Sequence, residues 1–283
     1  MSASGSQRLS RRVGNVAFLS FCWAATALAL TALAAILWSL ISQGVGGLEL
    51  AVFTESTPAP GSQGGLLNAI LGSIMMCGLA MAAATFVGVL AGTWLSEYAR
   101  DSAYGKVVRF INDVLLSAPS ILVGLFIYGI LVAPMKGFSG YAGAAALALI
   151  AAPVITRTTE DVLRLQPVSL REASVALGAP VWKTIWAVIW RSAQAGMLTG
   201  ALLAFARISG ETAPLLFTAL NNQFLSLDLG GPTANLPVVI FQFALSAYDD
   251  WRRLAWTGAL LIAAAVLGVT VLARILAREP ARS

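Results

Sequence analysis

Histidine is absent from this chain of 283 residues, which removes the usual zinc ligand and the commonest general base. Charged residues make up only 11% of it, against about a quarter in an ordinary soluble domain. No Gly-x-x-x-x-Gly-Lys-Ser/Thr loop occurs, so the chain cannot cradle nucleotide phosphates in the P-loop manner. The two cysteines, Cys22 and Cys77, fall within apolar stretches, where they read as small buried hydrophobes and not as an extracytoplasmic staple. A metal site and a serine or cysteine hydrolase of the familiar kind are disfavoured together.

What the chain does contain is hydrocarbon: 58% hydrophobic residues and a mean hydropathy of +0.80. It reads as an all-α, polytopic membrane protein. A bilayer core of about 30 Å takes roughly 20 helical residues, and six stretches qualify, at 16–42, 66–95, 108–134, 141–157, 193–220 and 251–275. The fourth is interrupted by Pro153 and turns polar from Thr156, so its inner end is expected to continue as helix in water. Arg8, Arg11 and Arg12 precede an apolar run too long for a signal peptide, which reads as an uncleaved anchor.

Fourteen Lys and Arg fall on one side of this topology, from Arg8 through Arg109, Arg157, Arg164, Arg171 and Arg191 to Arg282, and only Lys136, Arg252 and Arg253 on the other. Basic loops stay cytoplasmic, so both termini are expected inside. The net charge of +5 then describes contact with an anionic bilayer, not nucleic-acid binding.

The first outer loop, 43–65, is rich in Gly, Ser, Thr and Pro and reads as an exposed connector. The longest inner segment, 158–192, has its own helical design. Ser169 and Glu172 have the spacing of a capping box, Leu170, Ala173 and Leu177 share one face, and Gly178 supplies the stop. After Pro180, Trp182, Trp186 and Trp190 recur every four residues, an aromatic stripe suited to the inner leaflet interface before the fifth span begins. Gly88, Gly92, Gly143 and Gly200 read as sites of close helix packing. The segment 236–247 is too short to span and is expected to fold back on the outer face.

One charged pair lies inside the fifth span, in ARISGETAPLLF at 206–217. Arg207 at mid-bilayer depth costs about 2.5–3.5 kcal/mol on insertion scales, so it should face protein or a wet cavity. Glu211 stands one turn on and is expected to pair with it. Pro214 cannot return a hydrogen bond to Gly210, so the helix should bend or open there, with Ser209 and Thr212 adding hydroxyls. An Arg fork suits a tetrahedral oxyanion. A buried ion pair that merely fixes packing is the alternative. Asp113, at the inner mouth of the third span, is either a gate or simply solvated or paired with Arg109 four residues before it.

The sequence EASVALGA at 172–179, followed by Ile185, resembles the cytoplasmic EAA loop of ABC importer permeases, with Ser174 for the second alanine and Arg191 for the usual proline. GETAPLLFTA at 210–219, DVLLSAPSILVGLF at 113–126 and TRTTEDVLRLQP at 156–167 resemble the PstA-type permease family of phosphate-specific ABC importers. That resemblance implies a type I (MetI-like) fold in the bacterial inner membrane, with a tail, peripheral first helix and outer loop over 1–65, a transmembrane domain over 66–275 and a cytoplasmic tail over 276–283.

It further implies a PstC-type permease as heterodimer partner, a PstB-type ATPase dimer carrying the ATP-Mg, and a PstS-type phosphate-binding protein outside, with no cofactor on this chain. Arg207 and Glu211 would carry the family's essential pair. Leu170, Arg171, Glu172, Ala173, Leu177, Gly178 and Ala179 would engage the ATPase. A permease for sulfate or molybdate, or an ion-coupled secondary transporter, are the alternatives.

Overall fold

The computed structural model describes the backbone of residues 3–276 and the side chains of 11–275 except Val13. The side chains of the predicted tail at 276–283, and that of Arg8, lie outside the described residues. Among those residues every regular element is helical.

Helix α1 (Ala3–Val45) is exposed along its apolar length. It meets the rest of the chain near its outer end, where Gly44 and Gly47 approach Leu260 and Thr257, so the first helix is peripheral as expected. The following loop is not the plain exposed connector its composition suggested. It folds a short helix, α2 (Leu50–Thr54), buries Val52 with Leu66 and Leu254, and binds Thr57 to the buried Asn68 by hydrogen bonds of 3.0 and 2.9 Å. A polar segment becomes fixed because one valine and one asparagine anchor it.

Helix α3 (Leu67–Glu97) crosses to the inner end. Helix α4 (Ala103–Ser117), capped by the Ser102 hydroxyl on the Gly105 amide at 2.9 Å, does not run on into α5 (Ser120–Ile127). The two meet at 105°, so the predicted third span is not one helix. Pro119 supplies the cause: the residue before a proline is pushed out of the α region, and Ala118 is extended at φ −66°, ψ 134°. Helix α5 continues through a π-helical turn, Tyr128–Val132, into α6 (Ala133–Met135).

The central post is α7 (Gly140–Arg164), capped by Ser139. Its inner end stays helical beyond 157 as expected, but not in water: Thr156, Thr159 and Glu160 are all buried. Then come α8 (Val168–Ala176), α9 (Val181–Thr184), a π-helical turn Ile185–Ile189, and α10 (Trp190–Ile208). The tryptophan stripe therefore does not sit on a separate interfacial helix, because the chain stays helical from Val181 into α10. Trp182 and Trp186 are exposed, while the Trp190 indole donates to Thr93 Oγ1 at 3.1 Å.

Glycine decides how closely these helices approach. A methyl group on Gly88 would stand 2.8 Å from Ile155 Cβ, and one on Gly92 2.6 Å from the Thr156 carbonyl oxygen, so α3 and α7 touch backbone to backbone. Gly200 of α10 packs on Thr158, and Gly143 of α7 on Met76 and Ala219. All four predicted packing glycines serve that role. The remaining elements are α11 (Ala213–Thr218), α12 (Leu236–Ala244) and α13 (Asp249–Leu276). Helix α12, capped by Asn235, packs plainly through Val239 and Phe243 against Leu254.

By length and composition α1, α3, α7 and α13 can cross a membrane, and the bent α4–α6 would be a fifth span. The one predicted span not among these, the fifth at 193–220, is the broken pair α10 and α11.

Candidate translocation face and coupling surface

Helix α10 ends at Ile208 and α11 begins at Ala213, with Pro214 in its first turn, where a missing amide is tolerated. The opening predicted between Gly210 and Pro214 is therefore present. Its stub is closed locally: Ser209 N–H and Oγ both donate to the Phe205 carbonyl, at 3.0 and 2.7 Å, and Glu211 N–H to that of Ile208 at 3.2 Å.

Arg207 is exposed on the isolated chain. With Thr199 and Leu203, also exposed, it continues a stripe of four-residue spacing along one face of α10. Its depth follows from its neighbours. Phe205 and Ser209 border an apolar cavity of about 570 Å³ with Cys77 and Met81 of α3. Those two follow Leu67, the first residue of α3, by 10 and 14 positions, so they stand roughly 15 and 21 Å along an axis of roughly 46 Å. Arg207 thus stands near mid-length of α3, a helix long and apolar enough to cross a membrane, and is open on this face.

The expected pair with Glu211 is not formed. Among the described residues no ion pair or hydrogen bond joins Arg207 to a partner. The break at Gly210 is the cause: Glu211, half-buried, follows a turn rather than the next turn of the same helix, so the i,i+4 rule does not apply. Ser209 is also set apart, its hydroxyl turned back on the Phe205 carbonyl and its side chain in the apolar cavity. Thr212 is half-buried at the break.

Asp113 does not pair with Arg109. It lies 3.7 Å from Arg157, which also holds Asp161 at 3.1 Å, and all three are well exposed. Arg109 instead binds Glu160, at 2.6 Å, and the Leu95 and Ala99 carbonyls at 2.9 and 3.2 Å. Glu160 is 2% exposed and also takes Arg164 at 2.8 Å. Sequence reasoning missed this buried carboxylate, which stands in the polar run 156–161 beyond the end of the predicted span, where no local signal marks it as buried.

Helix α8 starts at Val168 with Pro167 as its N-terminal boundary and no side-chain cap. Ser169 is already inside the helix, so the capping box is not made; the fixed φ of Pro167 begins the helix earlier. The C-terminal stop is as predicted. Gly178 has φ +77°, its amide binds the Val175 carbonyl at 2.8 Å, and the Ala179 amide binds that of Ser174 at 3.2 Å, a Schellman motif. The predicted apolar face is divided between the bundle and the surface. Leu170 packs on Leu163 and Ile189, and Ser174 shares a 2.8 Å hydrogen bond with Thr184, whereas Glu172, Ala173 and Leu177 are exposed.

Arg171 fastens this helix to the bundle by Glu97, at 2.6 and 3.0 Å, and by the Gln166 and Leu163 carbonyls. The hydrogen bonds to Glu97 push the guanidinium up from its usual value. What remains outward is Val168, Val175 and Leu177, apolar and open at an inner corner.

A family model described as the binding-protein-dependent transport system inner membrane component matches residues 84–281. The phosphate transport system permease protein PstA of Pasteurella multocida is 54% identical over 94% of this chain and 95% of its own length. The PstA 1 of Mycobacterium tuberculosis is 33% identical over 95% and 90%. In architecture the chain is similar to an inward-facing MetNI methionine ABC transporter, with a TM-score of 0.64 at 18% identity over 75% of this chain and 94% of that one. With a family model over most of its length, and relatives that align nearly end to end, the chain belongs to the binding-protein-dependent transport system inner membrane components, as a PstA-type permease.

Proposed function

We propose that phosphate passes along the exposed face of α10, with Arg207 as the cation that admits it. The chain is a transmembrane permease subunit of a phosphate ABC importer. It forms one half of the path, a PstC-type permease forms the other, and both termini are cytoplasmic. The observation that carries this reading is a guanidinium near mid-length of the membrane-length helix α3 with neither burial nor ion partner among the described residues. Lipid alone would make that costly, at about 2.5–3.5 kcal/mol; a wet seam between two permeases does not.

Such a site should be weak, since conduction needs attraction and release together. Capture then falls to a PstS-type binding protein outside, and energy to a PstB-type ATPase dimer beneath. The chain needs no cofactor for this, because its part is positional and electrostatic. Uptake into proteoliposomes holding the complete complex tests the assignment. Phosphate uptake that requires ATP is expected, with sulfate and molybdate excluded and no uptake by this chain alone; ATP-independent transport by the isolated chain would sink it.

The α8 corner is the ATPase contact. Val175 and Leu177 are presented by a helix whose end is fixed at Gly178, a position where no atom would crowd a side chain. Substitution there acts through the backbone alone. Gly178→Val puts a β-branched residue at φ +77°, where it is a genuine outlier. Reduced co-purification of the ATPase and lower uptake are expected; unchanged values of both would contradict the assignment.

A further inference from the structure

The inner end of α3 is gripped from three sides. Arg109 of α4 holds the Leu95 and Ala99 carbonyls, Arg164 of α7 reaches that of Arg100 at 3.5 Å, and Arg171 of α8 forks onto Glu97. Two of the three arginines also share Glu160. Six consecutive residues, 95–100, thus receive a guanidinium from each of three other helices.

We propose that this cluster is the relay by which displacement of α8 enters the membrane helices, with Glu97 as the positioning residue at its entry. The inference rests on the importer reading above and goes beyond it, by stating which part of the bundle α8 pulls. Three observations support it. First, α8 has few other anchors, since its apolar burial is Leu170 and its polar burial is Ser174. Second, the link is rigid: both Glu97 oxygens are engaged by one planar fork, while Ser96 Oγ holds Oε1 at 3.0 Å, and a bidentate pair fixes direction as well as distance. Third, the next steps are stiff. Helix α3 meets α7 at Gly88 and Gly92, and α7 meets α10 through Thr158 and Val162 against Gly200 and Gly196. Helix α10 carries Arg207, so a push at α8 arrives at the translocation face through contacts with little slack.

The test uses the whole reconstituted complex, reading phosphate uptake and ATP hydrolysis in the same vesicles beside wild type. Glu97→Gln keeps size and one acceptor but loses the charge. Its uptake per ATP is expected to fall by about tenfold, the scale of an ordinary coupling between sites, while the complex still assembles. Glu97→Arg should fall further, and the reversed pair Glu97→Arg with Arg171→Glu should recover part of the ratio. A wild-type ratio in Glu97→Gln would overturn the relay, and so would a loss of coupling or of assembly that the reversed pair does not repair. If wild type itself imports no phosphate, the importer reading fails instead, and that is visible in the same experiment.

Discussion

Arg207→Gln is expected to lower phosphate uptake roughly tenfold or more while membrane insertion and subunit assembly stay intact. The separation follows from the geometry. Arg207 has no ion partner among the described residues and is exposed, so truncation strands no buried acid and opens no cavity. Glutamine also brings no formal charge to bury at that depth. The transport step loses the only formal positive charge on that stretch of α10 after Arg191. A charge-assisted hydrogen bond contributes about 1.5–3 kcal/mol, a drop of roughly ten- to more than a hundredfold. Arg207→Lys keeps the charge without the fork and should fall between. Uptake of labelled phosphate, against the amount of assembled complex in the same membranes, decides the matter; wild-type uptake by Arg207→Gln would remove the site assignment.

What could be read in the sequence was local chemistry. Proline 214 cannot close a hydrogen bond, glycine 178 can take a left-handed turn, and glycines 88, 92, 143 and 200 leave room for a neighbouring backbone; each rule concerns one residue and its immediate chain, and each held. The failures share a different cause. Spacing on a helix offers Arg109 the partner Asp113, four residues on, yet Asp113 is exposed and Arg109 binds Glu160, 51 residues away on α7. A buried carboxylate outcompetes an exposed one, and sequence spacing does not reveal burial. Arg207 and Glu211 were matched by the same rule, which the break between them voids. At α8 two start signals competed, and the proline at 167, with its φ already set, preceded the serine at 169. Pro119 carries a local signal too, since the constraint it places on Ala118 accompanies the 105° turn of the chain.

The largest stability effect is expected at Glu160. Its carboxylate is buried at 2% exposure between Arg109 and Arg164, whose side chains are 17% and 35% exposed. Removing one partner of a buried ion pair costs about 3–5 kcal/mol, because the remaining charge keeps its desolvation without its compensation. Here the loss should sit at the lower end of that range. Arg109 retains two carbonyl acceptors, and Arg164 can turn toward water, although its Nε is already buried without an acceptor. Against a typical total of about 5–15 kcal/mol, even the lower figure should sharply reduce folded yield. Glu160→Ala should therefore lower the thermal midpoint of the detergent-solubilised chain clearly. Glu160→Gln, which keeps the volume and one acceptor oxygen, should lower it less, since it leaves two cations near each other but not an empty site. Equal midpoints for Ala, Gln and wild type would mean that water already reaches this triad. The inner ends of α4 and α7 would then be held by packing alone, and the stiffness attributed to this end of the bundle would have no electrostatic origin.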